Sequence, residues 1–546
     1  MKYKSTRNAQ VITSFENAIC SGYAPDGGLF VPQTLPSLSS FQIKEWSLLS
    51  FPELSYEVLR LFIATEEITN GDLREIVNKA FGGGSFVDGV VNVRRLSSSN
   101  DNDNDNEKEK ANRNENVFVS ELFGGPTFCF KDIGMRLVVN ILSHFSSSTP
   151  TTLLVATTGD TGPAAVRAVS DAQNPNLSIL VHYPKGQISD FQRKQLTTVC
   201  SDSVEVVTFE GGGDDMDLPI KNILALSSSS SSSSSFDVVE SKKKTTSRRR
   251  RLCGVNSYNI GRPLAQMIHF IWTYLRVVEQ IGLEPSNPDI TIDIVIPTGA
   301  MGNIAGGYMA KQMGLPINYL CAGVNVNDII HRVLETGKFY KSNEMIKTMS
   351  DAINVQMPYN FERLLFYLTG QNHGLVNGWM KTVDSTNKLD LDKTWHEKLR
   401  QEFRSARITD EEMCNAMKRA RDELSFFADP HTSVALSAAE KLGYRLFQPL
   451  GDEEESSIGT APVVAIMATA SPCKFEETVT VALGKDGWDD YFEKSFPENA
   501  KDLLDTEEMP PTLYRWDKDM ALDDVQKVWE HHSREIIRTK FDCQVG

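Results

Sequence analysis

The stretch Ile290–Gly314, ITIDIVIPTGAMGNIAGGYMAKQMG, decides the fold. Ile292 to Pro297 is a short apolar run rich in β-branched residues, which suits a strand buried on both faces. Thr298 to Gly302 supplies a glycine loop, and an apolar helical pattern follows. Strand, loop, helix is one unit of a largely parallel sheet covered by helices. The unit recurs at Thr151–Ser170, TTLLVATTGDTGPAAVRAVS. LSILVHYP at Leu177, SVEVVTFEG at Ser203, PINYLCAGVN at Pro316 and PVVAIMATAS at Pro462 read as further buried strands. Such sheets bind ligands beyond the carboxyl ends of their strands. That expectation directs attention to the loops starting at Thr157, Thr298 and Thr469.

At 546 residues the chain is too long for one core, and two or three domains are expected. Its 56 basic and 72 acidic residues give a net charge of −16, which argues against nucleic acid or an anionic membrane as partner. The eight cysteines are scattered with no C-x-x-C pair. They fit reduced thiols in a cytoplasmic setting, with neither a disulfide framework nor a metal site. No apolar run is long enough to span a bilayer. The N-terminal MKYKSTRNAQ lacks the apolar segment of a secretory signal.

Two polar low-complexity tracts interrupt the pattern. SSSNDNDNDNEKEKANRNEN begins at Ser97, and a serine repeat followed by SKKKTTSRRRR runs from Ser227 to Arg251. Neither holds enough apolar surface to order itself, so both read as disordered loop insertions. The expected organisation is an N-terminal, mostly helical region at 1–96, the first insertion at 97–116, and a small α/β domain at 117–210. A large α/β domain at 211–546, interrupted by the second insertion at 227–251, completes it.

Three loops and one lysine carry candidate chemistry. In PTGAMGN, Gly299 and Gly302 let backbone N–H groups approach a ligand at a helix start, an anion cradle suited to phosphate. In ATTGDTG, Thr157, Thr158, Asp160 and Thr161 either grip a carboxylate or cap the helix through Asp160 or Thr161. In NSYNIGR, Ser257, Asn259 and Arg262 precede a helix, and arginine suits bidentate phosphate binding, although a plain cap with a surface arginine has the same pattern. His331 and His431 read as structural. Lys131 opens an apolar helix, where the macrodipole favours Asp or Glu over a cation. A lysine amine condenses with an aldehyde cofactor, and pyridoxal phosphate combines that aldehyde with a phosphate needing a cradle.

ELFGGPTFCFKD at Glu121–Asp132 resembles the cofactor-lysine motif of the threonine synthase family, pyridoxal-phosphate enzymes of the tryptophan-synthase β-like fold (fold type II). YKSTR at Tyr3, GYAPDGGLFVP at Gly22, TTGDTG at Thr157 and NSYNIGR at Asn256 match in order. PTGAMGN at Pro297, VNDIIHR at Val326, YNFERLLFYL at Tyr359, DPHTSVA at Asp429 and TASPCKF at Thr469 continue the match. With YKSTR starting at residue 3, the resemblance implies no room for a transit peptide.

The resemblance implies that Lys131 carries the cofactor and shuttles protons. It assigns Gly299, Ala300, Met301, Gly302 and Asn303 to the cofactor phosphate, and Thr469 to the pyridine nitrogen. Thr157, Thr158, Gly159, Asp160 and Thr161 would hold the substrate carboxylate. Ser257, Asn259 and Arg262, with Lys185, would hold the substrate phosphate. The implied reaction eliminates phosphate from O-phosphohomoserine and adds water to give threonine, in a monomer or homodimer. The sequence departs from the family where Gly124 and Ser471 replace the usual histidines and Cys129 the usual alanine. The Gly-Ala-Met-Gly-Asn cradle and NDIIHR look more like the threonine-synthase-like 2 branch. That branch implies a phospho-lyase releasing phosphate, ammonia and 2-oxobutyrate. A catalytically degenerate binding or regulatory protein is the third reading.

Overall fold

Ile and Val fill every position of Ile292–Pro297 except Asp293 and the closing proline, and all six residues are buried, as a parallel strand covered on both faces requires. The structure, a computed structural model, describes residues 1–86, 89–96, 116–199, 201–229, 250–285, 287, 290–447 and 462–541. Two sheets organise it. In chain order their strands are β1 (Asn92–Arg95), β2 (Val117–Glu121), β3 (Thr151–Ala156), β4 (Leu177–Pro184), β5 (Val204–Phe209), β6 (Arg251–Gly254), β7 (Ile292–Pro297), β8 (Ile317–Val324), β9 (Phe403–Arg407), β10 (Val463–Ala468) and β11 (Thr512–Tyr514).

One sheet has the order β9-β8-β7-β10-β2-β1, parallel except for the antiparallel edge strand β1. The other has the order β11-β5-β4-β3-β6 and is parallel throughout. The expected α/β architecture with largely parallel sheets is present. Sheet membership does not follow the expected division at 117 and 211. β2 sits in the six-stranded sheet, while β6 and β11 join the five-stranded one. Apolar surface, rather than position between the polar tracts, decides which strands meet.

Most of both expected insertions lies outside the described residues. Their edges differ from expectation: one helix runs over Asp217–Ser229, and β6 already starts at Arg251. The N-terminal region carries helices Phe15–Ser21, Ser40–Trp46, Phe51–Leu59 and Asn70–Phe81. It also carries a small antiparallel sheet of Tyr3–Ser5, Ile12–Thr13 and Phe30–Pro32, strands too short to register as a sequence pattern.

Four helices position the site: α1 (Lys131–Phe145), α2 (Thr161–Ala172), α3 (Gly261–Gln280) and α4 (Gly302–Gln312). α3 is buried along most of its length, as an interior helix apolar on most sides should be. α4 lies against it at backbone distance, since a Cβ on Gly306 would fall 2.9 Å from the Met267 nitrogen and 3.0 Å from the Pro263 oxygen. The loops after β3, β7 and β10 open on one cavity.

Candidate active site

Lys131 is placed by a stitched turn. The Phe130 N–H donates to the Thr469 carbonyl at 2.8 Å, and the Ser471 N–H to the Phe128 carbonyl at 3.0 Å. Phe128 takes a left-handed φ of 60° within that turn. α1 therefore begins against the end of β10, and its Phe130 N-cap offers no side-chain acceptor. The Lys131 side chain, 13% exposed, points its Nζ to Asp160 Oδ2 at 3.0 Å.

Asp160 is the hub of the site. Its other oxygen accepts from Lys474 Nζ at 2.7 Å and from Gln192 Nε2 at 3.0 Å. Lys474 is fully buried and also donates to the Thr127 carbonyl at 2.9 Å. Burial opposes the Asp160 charge, but Lys131 and Lys474 outweigh it and hold the carboxyl far below its ordinary range. Asp160 does not cap α2. The Thr157 hydroxyl accepts from the Gly159 and Gly162 N–H groups at 3.2 and 3.0 Å instead. With its oxygens turned to two ammonium groups, Asp160 is poorly placed to grip a carboxylate.

The glycine loop has the form of a cradle. Met301 adopts a left-handed φ of 61° and gives α4 no side-chain cap, so first-turn N–H groups stay available. The glycines are sterically required. A Cβ on Gly299 would lie 2.9 Å from Ile353 Cα, and one on Gly302 would lie 2.5 Å from Ser257 Cβ. Asn360 ties the loop down, donating to the Ala300 carbonyl at 3.0 Å and to Ser257 Oγ at 2.9 Å.

Arg262 is 2% exposed, donates to the Val255 carbonyl at 3.2 Å and leaves its Nε without a partner. Burial pushes the guanidinium down to about 10, and among the described residues no carboxylate pairs with it. A buried cation without an anion costs several kcal/mol on the order of its desolvation. The site has the makings of an anion receptor.

One cavity is lined by Lys131, Thr157, Thr158, Asp160, Thr161, Ser257, Arg262, Gly299, Ala300, Met301, Gly302, Asn303 and Thr469. Three expected residues are not on its wall. Gly159 packs against Gln192, where an added Cβ would meet the amide at 2.5 Å. Asn259 is fully buried, donating to the Ile19 and Gly254 carbonyls at 2.7 and 2.9 Å. Lys185 pairs with Glu210 at 3.1 Å on the surface. Asn259 holds a turn because its side chain matches main-chain groups, and Lys185 has a surface carboxylate as its partner.

Sequence reasoning missed Asp214, Asp217 and Tyr359, and took His431 as structural, yet all four line the cavity. His431 Nδ1 lies 2.7 Å from Asp429 Oδ2. Burial pushes Asp217 up to about 8 and Asp214 up to about 6. Their only sequence signal is a run of carboxylates after three glycines, EGGGDDMD, which a solvated loop shares. Among the described residues no cluster of His, Cys, Asp and Glu is arranged for a metal, and no helix is long and apolar enough to cross a membrane.

A family model described as "Threonine synthase N terminus" matches residues 2–81. The chain is 34% identical over 484 residues to "Threonine synthase-like 2" of Homo sapiens, covering 88% of this chain and 89% of that one. It is 30% identical over 528 residues to the threonine synthase of Saccharomyces cerevisiae, covering 92% and 93%. Among solved structures, yeast threonine synthase superposes with a TM-score of 0.76 at 29% identity, covering 98% of this chain and 99% of that one. A pyridoxal-phosphate-bound threonine synthase from Brucella melitensis superposes with a TM-score of 0.75 at 29% identity, covering 98% and 100%.

Proposed function

The chain belongs to the threonine synthase family, and from that premise we propose that it is a pyridoxal-phosphate lyase converting O-phospho-L-homoserine to L-threonine and phosphate. One observation carries the reading. The Lys131 amine, an uncapped glycine cradle and a buried arginine without an acid partner all face a single cavity. The residues fit the cofactor: an amine to bind its aldehyde, and a cradle at a helix start for its phosphate, with glycines that any Cβ would crowd. Gly299 to Asn303 would hold the phosphate, and Thr469 would face the ring nitrogen, where a hydroxyl keeps the ring less protonated than a carboxylate would. When bound, the cofactor supplies an electron sink for the carbanions of elimination.

The protein's own residues do the rest. Lys131 removes and returns protons at the substrate carbons, which one enclosed pocket makes effectively unimolecular. Asp160 steadies the Lys131 ammonium at 3.0 Å. When Nζ gives up its proton, Lys474 still pairs with Asp160 at 2.7 Å, so no unpaired carboxylate is left buried. Arg262 and Ser257 receive the substrate phosphate, and Thr158 and Thr161 its carboxylate. The reading takes the protein as cytoplasmic, a monomer or homodimer, with a small-molecule partner only.

A second reading, release of 2-oxobutyrate, ammonia and phosphate, has its own support. Ser471 replaces the family's usual histidine and turns its hydroxyl to Tyr491 Oη at 3.1 Å, so no imidazole stands there to steer water addition. Purified protein given O-phosphohomoserine should release phosphate with threonine in equal amount. Phosphate with 2-oxobutyrate and ammonia would select the second reading. No phosphate release would leave a binding protein.

A further inference from the structure

The cradle has a backing that neither the motif nor the reaction explains. Asn303, in the first turn of α4, is 7% exposed and lines the cavity. Behind it, on α3, His269 is fully buried and does not reach the cavity. His269 Nε2 lies 2.7 Å from Asn303 Oδ1. The other end of each group is unpartnered: among the described residues neither His269 Nδ1 nor Asn303 Nδ2 has a hydrogen-bond partner. An unpaired buried amide is costly, and it needs an acceptor that the protein itself does not supply.

The pair is held rigidly. A Cβ on Gly306 would meet the Met267 and Pro263 backbone, and one on Gly307 would meet the Phe270 ring at 2.6 Å. Without those side chains, α4 beds into α3 and fixes the ring against the start of α4. Burial pushes the imidazole down to about 4, so it is neutral. An amide oxygen only accepts, so Nε2 carries the proton and Nδ1 is bare. The reverse arrangement would aim the amide oxygen's lone pairs at whatever anion the cradle holds, which is repulsive.

Resting on the function proposed above, we propose that His269 is a positioning residue for the cofactor phosphate: it grips the oxygen of the Asn303 amide and leaves the two N–H donors for the phosphate. His269 itself touches neither cofactor nor substrate.

The test is equilibrium binding of pyridoxal phosphate and of pyridoxal, which lacks the phosphate, to the apo full-length chain. His269→Phe should weaken pyridoxal phosphate roughly tenfold, the scale of one hydrogen bond to a charged group, and leave pyridoxal unchanged. In the Asn303→Ala background, His269→Phe should add no further loss. Equal losses for both ligands, or additive losses in the double variant, would overturn the proposal. If His269→Phe does not fold, His269→Gln and His269→Met make the same comparison. The glutamine keeps a donor and should stay within about threefold of wild type, while methionine should lose roughly tenfold; equal affinities for pyridoxal phosphate would overturn it. A wild type that binds no pyridoxal phosphate would sink the proposed function and this inference together. Normal wild-type binding with an unaffected His269→Phe variant would sink the inference alone.

Discussion

Arg262 and Asp160 show the two ways a single residue can be charged inside this protein. Arg262 is buried without an anion, and Asp160 is buried between two cations. Replacing an unpaired buried charge with an apolar chain of similar length removes a desolvation cost. Arg262→Met should therefore leave the apo protein at least as resistant to urea while raising the KM for O-phosphohomoserine more than tenfold, with the cofactor spectrum intact. An unchanged KM would refute its substrate role. Asp217 makes the opposite pH statement from Asp160. Its folded pKa, raised to about 8 by burial, lies above the unfolded carboxyl value of about 3.9. The folded state therefore holds the extra proton, and stability falls as pH rises from about 4 through about 8. Asp217→Asn should flatten that fall and stabilise the apo protein at pH 9 relative to wild type in urea melts. A parallel decline in both would contradict the assignment. Lys131 was legible because a cation at a helix start breaks the macrodipole rule, whereas the local pattern around Arg262 fits a surface arginine equally well and only the family resemblance singled it out. Asp160 was legible only as a loop carboxylate, because Lys474, which explains it, is more than three hundred residues away in the chain.

Elements were legible where the pattern that makes them is complete within one segment. β3, β7 and β10 are apolar runs ended by small or hydroxyl residues, and each falls where the sequence places it. The apolar helical pattern of SYEVLRLFIATEEI, Ser55–Ile68, runs on past the helix itself, which closes at Leu59. Glu67 instead turns back to accept the Phe15 and Glu16 N–H groups at 3.1 and 2.8 Å. Such a tertiary demand leaves no trace in local periodicity. The contact of α3 with α4 is likewise invisible until the helices are set together, after which Gly306 explains it. Gly306→Ala forces a methyl against the Pro263 and Met267 backbone. It should cost about 1–3 kcal/mol in urea unfolding, the usual range for overpacking. No change in unfolding free energy would mean the helices are not held at that spacing.

At the scale of the whole molecule, distant motifs meet around one cavity. Thr6 and Arg7 of the N-terminal motif reach the Glu362 carboxylate, with the Arg7 guanidinium at 2.8 and 3.0 Å. Glu362 lies in the first turn of the helix Phe361–Leu368, directly after Asn360, which fastens the cradle to Ser257. This convergence was not readable from order along the chain, because pairings such as β2 with β10 and β11 with β5 close over hundreds of residues. It also sets a choice between two amines. Lys131 and Lys474 share one carboxylate, yet only Lys131 lines the cavity, and Lys474 is sealed from solvent. The most direct test is to load the full-length protein with pyridoxal phosphate, reduce it with borohydride and map the added mass by peptide. A single pyridoxyl-phosphate label on the peptide containing Lys131, absent in Lys131→Ala, is the predicted result. A label on Lys474, or equal labelling of wild type and Lys131→Ala, would contradict the account.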